Sequence, residues 1–155
     1  MKVTFIDTSV LCELLEVPGK SQRSAAVQAE LVVREAGGER FVIPVTAVIE
    51  TGNHIAQAAR DRRAAAERMV RLLRATRGSE VPYIFNELSW DDELLDALCG
   101  GDSTEQTFVD LAGNGLMGAG DVAILVERDL FVARTGYSRQ DVRIWTLEAV
   151  MGAYA

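Results

Sequence analysis

Cysteine, histidine and proline are scarce in this sequence, and their scarcity excludes several classes of protein. The 155 residues include two Cys, one His and three Pro. Cys12 and Cys99 are isolated, so a disulfide framework and a zinc site are both poor interpretations. No apolar run approaches the roughly 18 residues that would suggest a membrane span. Asp7 interrupts the first apolar stretch, which does not resemble a signal peptide. We therefore expect a cytoplasmic protein that has no membrane partner.

The chain is acidic overall but contains one strongly basic segment. Its formal net charge of −7 argues against a general nucleic-acid coat protein. Residues 60–77 hold seven Arg against Asp61 and Glu67, a local charge of +5, so the rest of the chain carries −12. The length suits a single domain over residues 1–155 with a sizeable core. A basic segment on an acidic body is more informative than the total charge.

Short apolar runs alternate with helix-like segments along the chain. Strands are predicted at Val3–Ile6, Phe41–Val45, Val81–Phe85 and Val142–Trp145. Pro82 weakens the third of these. Thr8 and Ser9 are candidate caps for a helix through Leu15, and Ser103 with Gln106 predicts a capping box for a helix over 103–112. Alternation of this kind predicts an α/β layer fold with a mostly parallel sheet.

Four acidic residues occupy similar places beside the predicted strands. Asp7 directly follows the first strand, Glu50 lies in the first turn of the helix after the second, Asp121 begins a helix, and Glu148 follows the last strand. Because ligands of parallel sheets bind outside the carboxyl ends of the strands, we expect these acids to form one site. The segment 44–49 is almost wholly apolar, so we also expect it to be buried and Glu50 to need a partner there.

Each acid also has a simpler interpretation. Asp7 and Asp121 are natural helix caps, Glu50 suits the positive end of a helix dipole, and Glu148 fits an exposed side chain. Clustering favours a metal site, however. Two carboxylates about 4 Å apart repel by roughly 4 kcal/mol at an effective dielectric near 20, and two divalent cations would cancel the charge of four acids. Mg²⁺ prefers such oxygen ligands, and a metal pair suits an in-line phosphoryl displacement.

Hydroxyl groups and one histidine lie close to these acids in the sequence. Thr8, Ser9 and Thr146 are candidates to orient a water molecule, a ligand or a substrate. Asn53 and His54 follow Glu50 on the same helical face and are candidates to line the site. A packed or an exposed histidine remains an alternative for His54.

The basic segment predicts a two-faced helix over 61–77. Its apolar positions are Ala65, Ala66, Met69, Leu72 and Leu73. The opposite face is predicted to carry Arg60, Arg63, Arg71 and Arg74. These arginines are candidates to guide an RNA backbone towards an acidic site. The alternative is a solvated helix face on which Glu67 pairs with Arg63 and Arg71.

Four motifs, taken together and in order, resemble the PIN domain (PilT N-terminus). The first runs from Phe5 through Asp7 to Leu11, the second ends at Glu50, the third is Gly118-Ala-Gly-Asp121-Val-Ala-Ile, and the fourth is Trp145-Thr-Leu-Glu148. The resemblance spans Val3 to Glu148. The fourth motif of that family usually reads Thr-x-Asp, so Glu148 departs from it by one methylene.

The resemblance implies a three-layer α/β/α sandwich with a four- or five-stranded sheet. It also implies a Mg²⁺- or Mn²⁺-dependent endoribonuclease, similar to the VapC-like toxins of toxin–antitoxin pairs. Such proteins are homodimers held inactive by a small antitoxin. By this resemblance, Asp7, Glu50 and Asp121 would hold one cation, and Glu148 would help to place a second near Thr146.

Two alternatives remain open. A degenerate PIN module would bind RNA or a partner protein without cleaving anything. Separately, Gly113-Asn-Gly115-Leu-Met-Gly118 matches the G-x-G-x-x-G pattern of dinucleotide-binding proteins. That pattern requires a preceding strand, for which residues 108–112 are the candidate.

Overall fold

A parallel β-sheet forms the centre of the chain, which a computed structural model describes from Met1 to Ala155. Its three strands, in the spatial order β2-β1-β3, are β1 (Val3–Ile6), β2 (Arg40–Val42) and β3 (Val142–Trp145). Phe5 pairs with Val42 on one side and with Ile144 on the other. All four residues of β1 are buried, as expected for a central parallel strand. The predicted α/β fold with a parallel sheet is confirmed.

The sheet has three hydrogen-bonded strands rather than the four or five that the resemblance implies. The predicted strand at Val81–Phe85 is reduced to one parallel bridge between Tyr83 and Phe41. Around it, the Phe41 N–H donates to the Pro82 carbonyl (3.0 Å), and the Ile84 N–H donates to the Phe41 carbonyl (2.8 Å). Pro82 has no N–H to extend this ladder, so the segment ends as a short edge beside β2.

Eight α-helices surround the sheet. They are α1 (Thr8–Leu14), α2 (Ser24–Ala36), α3 (Val45–Gln57), α4 (Arg62–Arg77), α5 (Asp92–Gly100), α6 (Phe108–Gly113), α7 (Ala119–Thr135) and α8 (Ala149–Gly152). A 3₁₀ turn at Arg139–Asp141 leads into β3. None of the helices combines the length and the apolar character that a membrane crossing requires.

The hydrophobic core joins the sheet to α1, α3 and α7, three helices that carry residues of the predicted site. A cluster of 28 buried apolar residues includes all of the central strand's hydrophobic side chains and much of α7. Phe5 meets Phe131 of α7 edge to face, with ring centroids 5.4 Å apart. Helix α3 packs against both α1 and α7. Because a buried aliphatic or aromatic side chain contributes about 1.5–3 kcal/mol, this packing holds the three helices firmly beside the sheet.

The structure corrects several predictions about helix ends. Asp7, rather than Thr8 or Ser9, occupies the N-cap position of α1, and no side chain caps that helix. The predicted capping box at Ser103 is wrong, because α6 begins at Phe108 and Thr107 accepts from the Asp110 N–H (3.2 Å). Residues 108–112 are therefore helical. The dinucleotide-binding motif lacks the strand that it requires.

The apolar segment before Glu50 is also less buried than expected. Ala47 is fully buried, but Val45 and Ile49 are 46% and 59% exposed. Most of the segment forms the start of α3, so its side chains point in all directions and only one face reaches the core.

Candidate active site

The structure brings the four sequence-predicted acids together in one pocket. This pocket has a volume of about 510 Å³ and is lined by Asp7, Glu50, Asp121 and Glu148, among others. Asp7 follows β1, Glu50 lies on α3, Asp121 is in the first turn of α7, and Glu148 precedes α8. The pocket therefore opens at the carboxyl edge of the sheet. Strand β1 lies between β2 and β3, so the chain leaves β1 towards β2 on one side while β3 lies on the other. Ligands of parallel sheets usually bind at such a point.

Asp7 is held in place by hydroxyl groups from two elements. It is only 2% exposed, and its N–H donates to the Trp145 carbonyl (3.0 Å). Its Oδ2 accepts from the hydroxyls of Ser9 (2.7 Å) and Thr146 (2.8 Å). The Leu147 N–H in turn donates to the Ser9 hydroxyl (2.9 Å). These bonds fix Oδ2 and leave Oδ1 for the pocket.

One hydroxyl group holds the Glu50 carboxylate, and a glycine on α7 leaves room for it. The Thr8 hydroxyl donates to Glu50 Oε2 (2.5 Å). Gly120 of α7 lies so close that a Cβ at that position would overlap the Glu50 carboxylate. Gly118 faces open space instead. Of the two glycines in the third motif, Gly120 is therefore the one that the site requires.

Asp121 is electrostatically coupled to the other three acids. It is half-buried, and it is the third residue of α7 rather than its cap, which is Gly118. Burial raises the pKa of Asp121, and the negative charges of Asp7, Glu50 and Glu148 raise it further. A cation in the pocket would oppose this effect, since it favours the ionised form.

Glu148 is the most peripheral of the four acids. It is exposed at the N-cap position of α8, and its side chain makes no capping bond. Its N–H donates to the Thr146 hydroxyl (3.0 Å), which links it to the group that also holds Asp7. The carboxylate lines the pocket and forms no ion pair.

The side chains of the pocket do not form a ready-made metal site. No group of three or more His, Cys, Asp or Glu side chains is arranged as a preformed metal cage. Mg²⁺ usually keeps several waters and binds proteins through one or two carboxylates together with substrate phosphates. A pocket with carboxylates on several sides, including the unengaged Oδ1 of Asp7, fits that mode of binding, and Mn²⁺ has the same ligand preference.

Several pocket residues were missed by sequence reasoning. Cys12, Glu13, Lys20 and Arg23 all line the pocket. Glu13 is 5% exposed and accepts from the Arg23 N–H (2.9 Å), so it anchors the loop after α1. An acid within an apolar helix was the available signal for Glu13. Nothing in the sequence marked Lys20 or Arg23, because their loop has no recognisable pattern.

Of the two residues suggested beside Glu50, only His54 reaches the pocket. His54 is half-buried and lines it, while Asn53 is exposed elsewhere. Burial lowers the pKa of His54, and the positive charge of Lys20 lowers it further. The charge of Glu50 opposes these two effects without outweighing them, so the imidazole favours its neutral form, which can donate or accept a hydrogen bond.

The structure separates the arginines that were predicted to guide RNA. Arg60 lines a cavity that adjoins the acid pocket. Arg63, Arg71 and Arg74 instead line a groove of about 810 Å³ between α3 and α4. Within α4 these three arginines are exposed, whereas Ala65 is buried and Met69 and Leu72 are partly buried, so the two faces differ as predicted. The groove reaches both faces, because Ala66, Met69 and Leu73 also line it. Long arginine stems run readily along apolar surface and explain this mixture.

The simpler interpretation of this helix face also differs from the structure. Glu67 forms no ion pair with Arg63 or Arg71; the one α4 arginine in an ion pair is Arg68, with Glu16 (3.9 Å). Arg68 also donates to the Leu15 carbonyl (2.7 Å), which ties α4 to the end of α1. The groove arginines are therefore available to a ligand.

Comparison of the chain with known protein families, curated proteins and solved structures finds no match. A function must therefore be argued from the pocket itself. Its features are carboxylates from four separate elements, hydroxyls that orient two of them, and basic side chains on the adjoining wall.

Proposed function

We propose that this protein is a metal-dependent endoribonuclease with a PIN-like, three-layer fold, and that it acts in the cytoplasm as a VapC-like toxin. The observation that carries the proposal is the convergence of Asp7, Glu50, Asp121 and Glu148 in one pocket at the carboxyl edge of the sheet. Such a concentration of carboxylates is costly without a cation, because the charges of Asp7, Glu50 and Glu148 add to burial in raising the pKa of Asp121.

Each acid has a distinct part in this proposal. Asp7, Glu50 and Asp121 would hold one Mg²⁺ or Mn²⁺, and the exposed Glu148 would help to hold a second. When bound there, such a cation would lower the pKa of a water molecule and would stabilise the charge that develops on the phosphodiester. The hydroxyls of Ser9 and Thr146 keep Asp7 oriented, and the hydroxyl of Thr8 keeps Glu50 oriented. Their shared task is to preorganise the carboxylates.

The proposal is tested by replacing Asp7 with its neutral isostere. Asp7→Asn keeps the shape of the side chain but removes the charge that would hold the cation. Cleavage of single-stranded RNA in Mn²⁺ should fall about 1,000-fold, since metal-ion catalysis supplies several kcal/mol of transition-state stabilisation. Undiminished cleavage by this variant would remove the assignment.

The matched control is Asp96→Asn. Asp96 is exposed on α5 and lines none of the cavities described above, so this variant should cleave like the wild type. A parallel assay on single-stranded DNA of the same sequence tests whether the 2′-hydroxyl is required.

A non-catalytic or regulated binding function is the second candidate, and the α3–α4 groove favours it. Its floor is apolar and its rim is basic. The rim consists of Arg62, Arg63, Arg71 and Arg74 with one acid, Glu67. An acidic, amphipathic helix of a small partner protein fits this chemistry, as an antitoxin would.

This second candidate is tested by co-purifying the chain with the protein that the neighbouring gene encodes. If that protein binds and the chain cleaves no RNA in Mg²⁺ or Mn²⁺, the non-catalytic function is favoured. The homodimer that the resemblance implies belongs to the same proposal, and its mass in solution can be measured by light scattering.

A further inference from the structure

A second cavity continues from the acid pocket along the end of α3. It has a volume of about 590 Å³, and it shares Gly19, Lys20 and His54 with the acid pocket. Gln57, Ala58 and Arg60 form its far end. The two cavities adjoin at these three residues, and the pair, from the four carboxylates to Arg60, is called the channel.

The channel changes from acidic to basic along its length. Lys20 and Arg23 stand on the wall of the acid pocket, and neither forms an ion pair with any of its carboxylates. Arg60 contacts only Asp61, at 3.8 Å, and both side chains are largely exposed. Such exposed pairs contribute little, so these cations are free to meet an anion.

The loop that carries Lys20 is held in a defined shape. Gly19 adopts a φ of +81°, which other residues rarely adopt. The Lys20 N–H and the Ser21 hydroxyl both donate to the Val17 carbonyl (3.0 and 2.9 Å). Buried Glu13 accepts from the Arg23 N–H at the other end of the loop. The backbone of Lys20 is thereby fixed beside the pocket, and its charge acts on Cys12 and His54.

We propose that Lys20, His54 and Arg60 bind the backbone phosphates of the single-stranded RNA next to the bond that is cut. This inference rests on the proposed function and adds the path of the substrate to it. A cation at the carboxylates would take the scissile phosphate, and the adjoining channel would take the phosphates that follow. Lys20 and Arg60 supply charge, and neutral His54 supplies a hydrogen bond between them. Arg63, Arg71 and Arg74 lie outside this path.

The test compares two double variants that lose the same charge. Lys20→Gln/Arg60→Gln removes both cations of the channel. Lys2→Gln/Arg77→Gln removes two exposed cations that line none of these cavities, Lys2 lying before β1 at the opposite edge of the sheet. Binding of a fluorescent oligouridylate is measured by anisotropy in EDTA, where no metal-dependent cleavage occurs.

The channel variant should bind at least about tenfold more weakly than the wild type. Its plot of log K against log salt should lose about 1.4 units of slope, since each phosphate contact on a single strand contributes about 0.7. The control should stay within about twofold and keep most of its slope. In Mn²⁺, the channel variant should show a raised KM for RNA cleavage with little change in kcat, as expected for positioning residues.

Equal binding by the two double variants would overturn the proposal, and so would a wild-type chain that does not bind the oligonucleotide at all. Failure of the nuclease function looks different. In that case Asp7→Asn leaves any cleavage unchanged, while Lys20→Gln/Arg60→Gln still weakens RNA binding relative to its control.

Discussion

The two faces of helix α3 differ in nearly every chemical respect. One face places Glu50 and His54 in the acid pocket, and the other places Gly52, Ile55 and Ala56 in the α3–α4 groove. The pocket offers oxygen atoms to a cation, whereas the groove offers apolar surface and arginines to a partner. The difference shows that charge alone does not identify an RNA path. Most of the basic segment lies at the groove, while less conspicuous cations lie beside the acids.

Among changes that leave every carboxylate in place, the largest effect on RNA cleavage is expected at Gly120, which lets α7 approach Glu50. Gly120→Ala should reduce RNA cleavage at least about 100-fold, because the added methyl displaces the Glu50 carboxylate. The same change should leave Tm unchanged or slightly raised, since Ala is favoured over Gly in a helix by up to about 1 kcal/mol. Cleavage rates and thermal melts measured together separate the two effects.

Gly118→Ala is the matched control for that variant. Position 118 faces open space but lies at the N-cap of α7, where Ala is disfavoured. It should lower Tm modestly and retain activity, the reverse of Gly120→Ala. Equal loss of activity in both variants would mean that the close approach to Glu50 is unimportant.

Glu127 is a buried carboxylate that lines neither the acid pocket nor the α3–α4 groove, so it offers a third environment for comparison. Glu127 of α7 is 1% exposed, and the Asn86 side chain donates to its Oε1 (2.8 Å). Burial raises the pKa of Glu127 to about 7, against the lowering effects of the Asn86 side chain, the Val45 backbone and the charge of Arg134. The folded state therefore retains a proton that the unfolded state releases near pH 4.5.

Stability from this proton is full below about pH 4.5 and is lost as the pH rises through about 7. Between pH 5 and 8 the loss should be about 2–3 kcal/mol. Glu127→Gln should abolish it, as measured by urea unfolding at both pH values in EDTA. No other acid raises the pKa of Glu127, whereas Asp7 raises that of Asp121, so Glu127 is not part of the proposed cation site. Mn²⁺ should therefore not alter the difference in stability between pH 5 and pH 8. A variant that keeps the full pH dependence would show that another group titrates.

A smaller effect is expected from the groove. Val70 is 45% exposed and lines it, so Val70→Asp should fold normally. The new acid would oppose an acidic partner helix and weaken the complex with the neighbouring gene's protein by about tenfold or more. RNA cleavage by the free chain should change less than about threefold. Calorimetric titration and cleavage assays measure the two quantities, and a loss of cleavage alone would assign the groove to the substrate.

Much of the site followed from local patterns in the sequence. Asp7, Asp121 and Glu148 flank strands or begin helices, and parallel topology was enough to place them together with Glu50. The sequence also marked Thr146 as a hydroxyl near the acids. Its bond to Oδ2 of Asp7, however, depends on the register of β1 with β3. These predictions needed only strand order and helix periodicity.

Other features depend on tertiary contacts that no local pattern encodes. Lys20 reaches the pocket because three hydrogen bonds to Val17 and Glu13 fix the loop that carries it. The third predicted strand failed because Pro82 limits its ladder, although its apolar residues suggested a strand. The exposure of Ile49 and the groove arginines both reflect how α3 packs on α4, which hydrophobic periodicity alone did not determine.

The central claim is that the four carboxylates form a cation site, and Mn²⁺ binding tests it most directly. The protein is titrated with Mn²⁺, and free Mn²⁺ is measured by its paramagnetic signal. The titration should show one or two ions bound per wild-type chain. Asp7→Asn and Asp121→Asn should each lose that binding, together with the rise in Tm that a ligand of the folded state produces. Wild-type protein that binds no Mn²⁺, or variants that bind it equally well, would contradict the account.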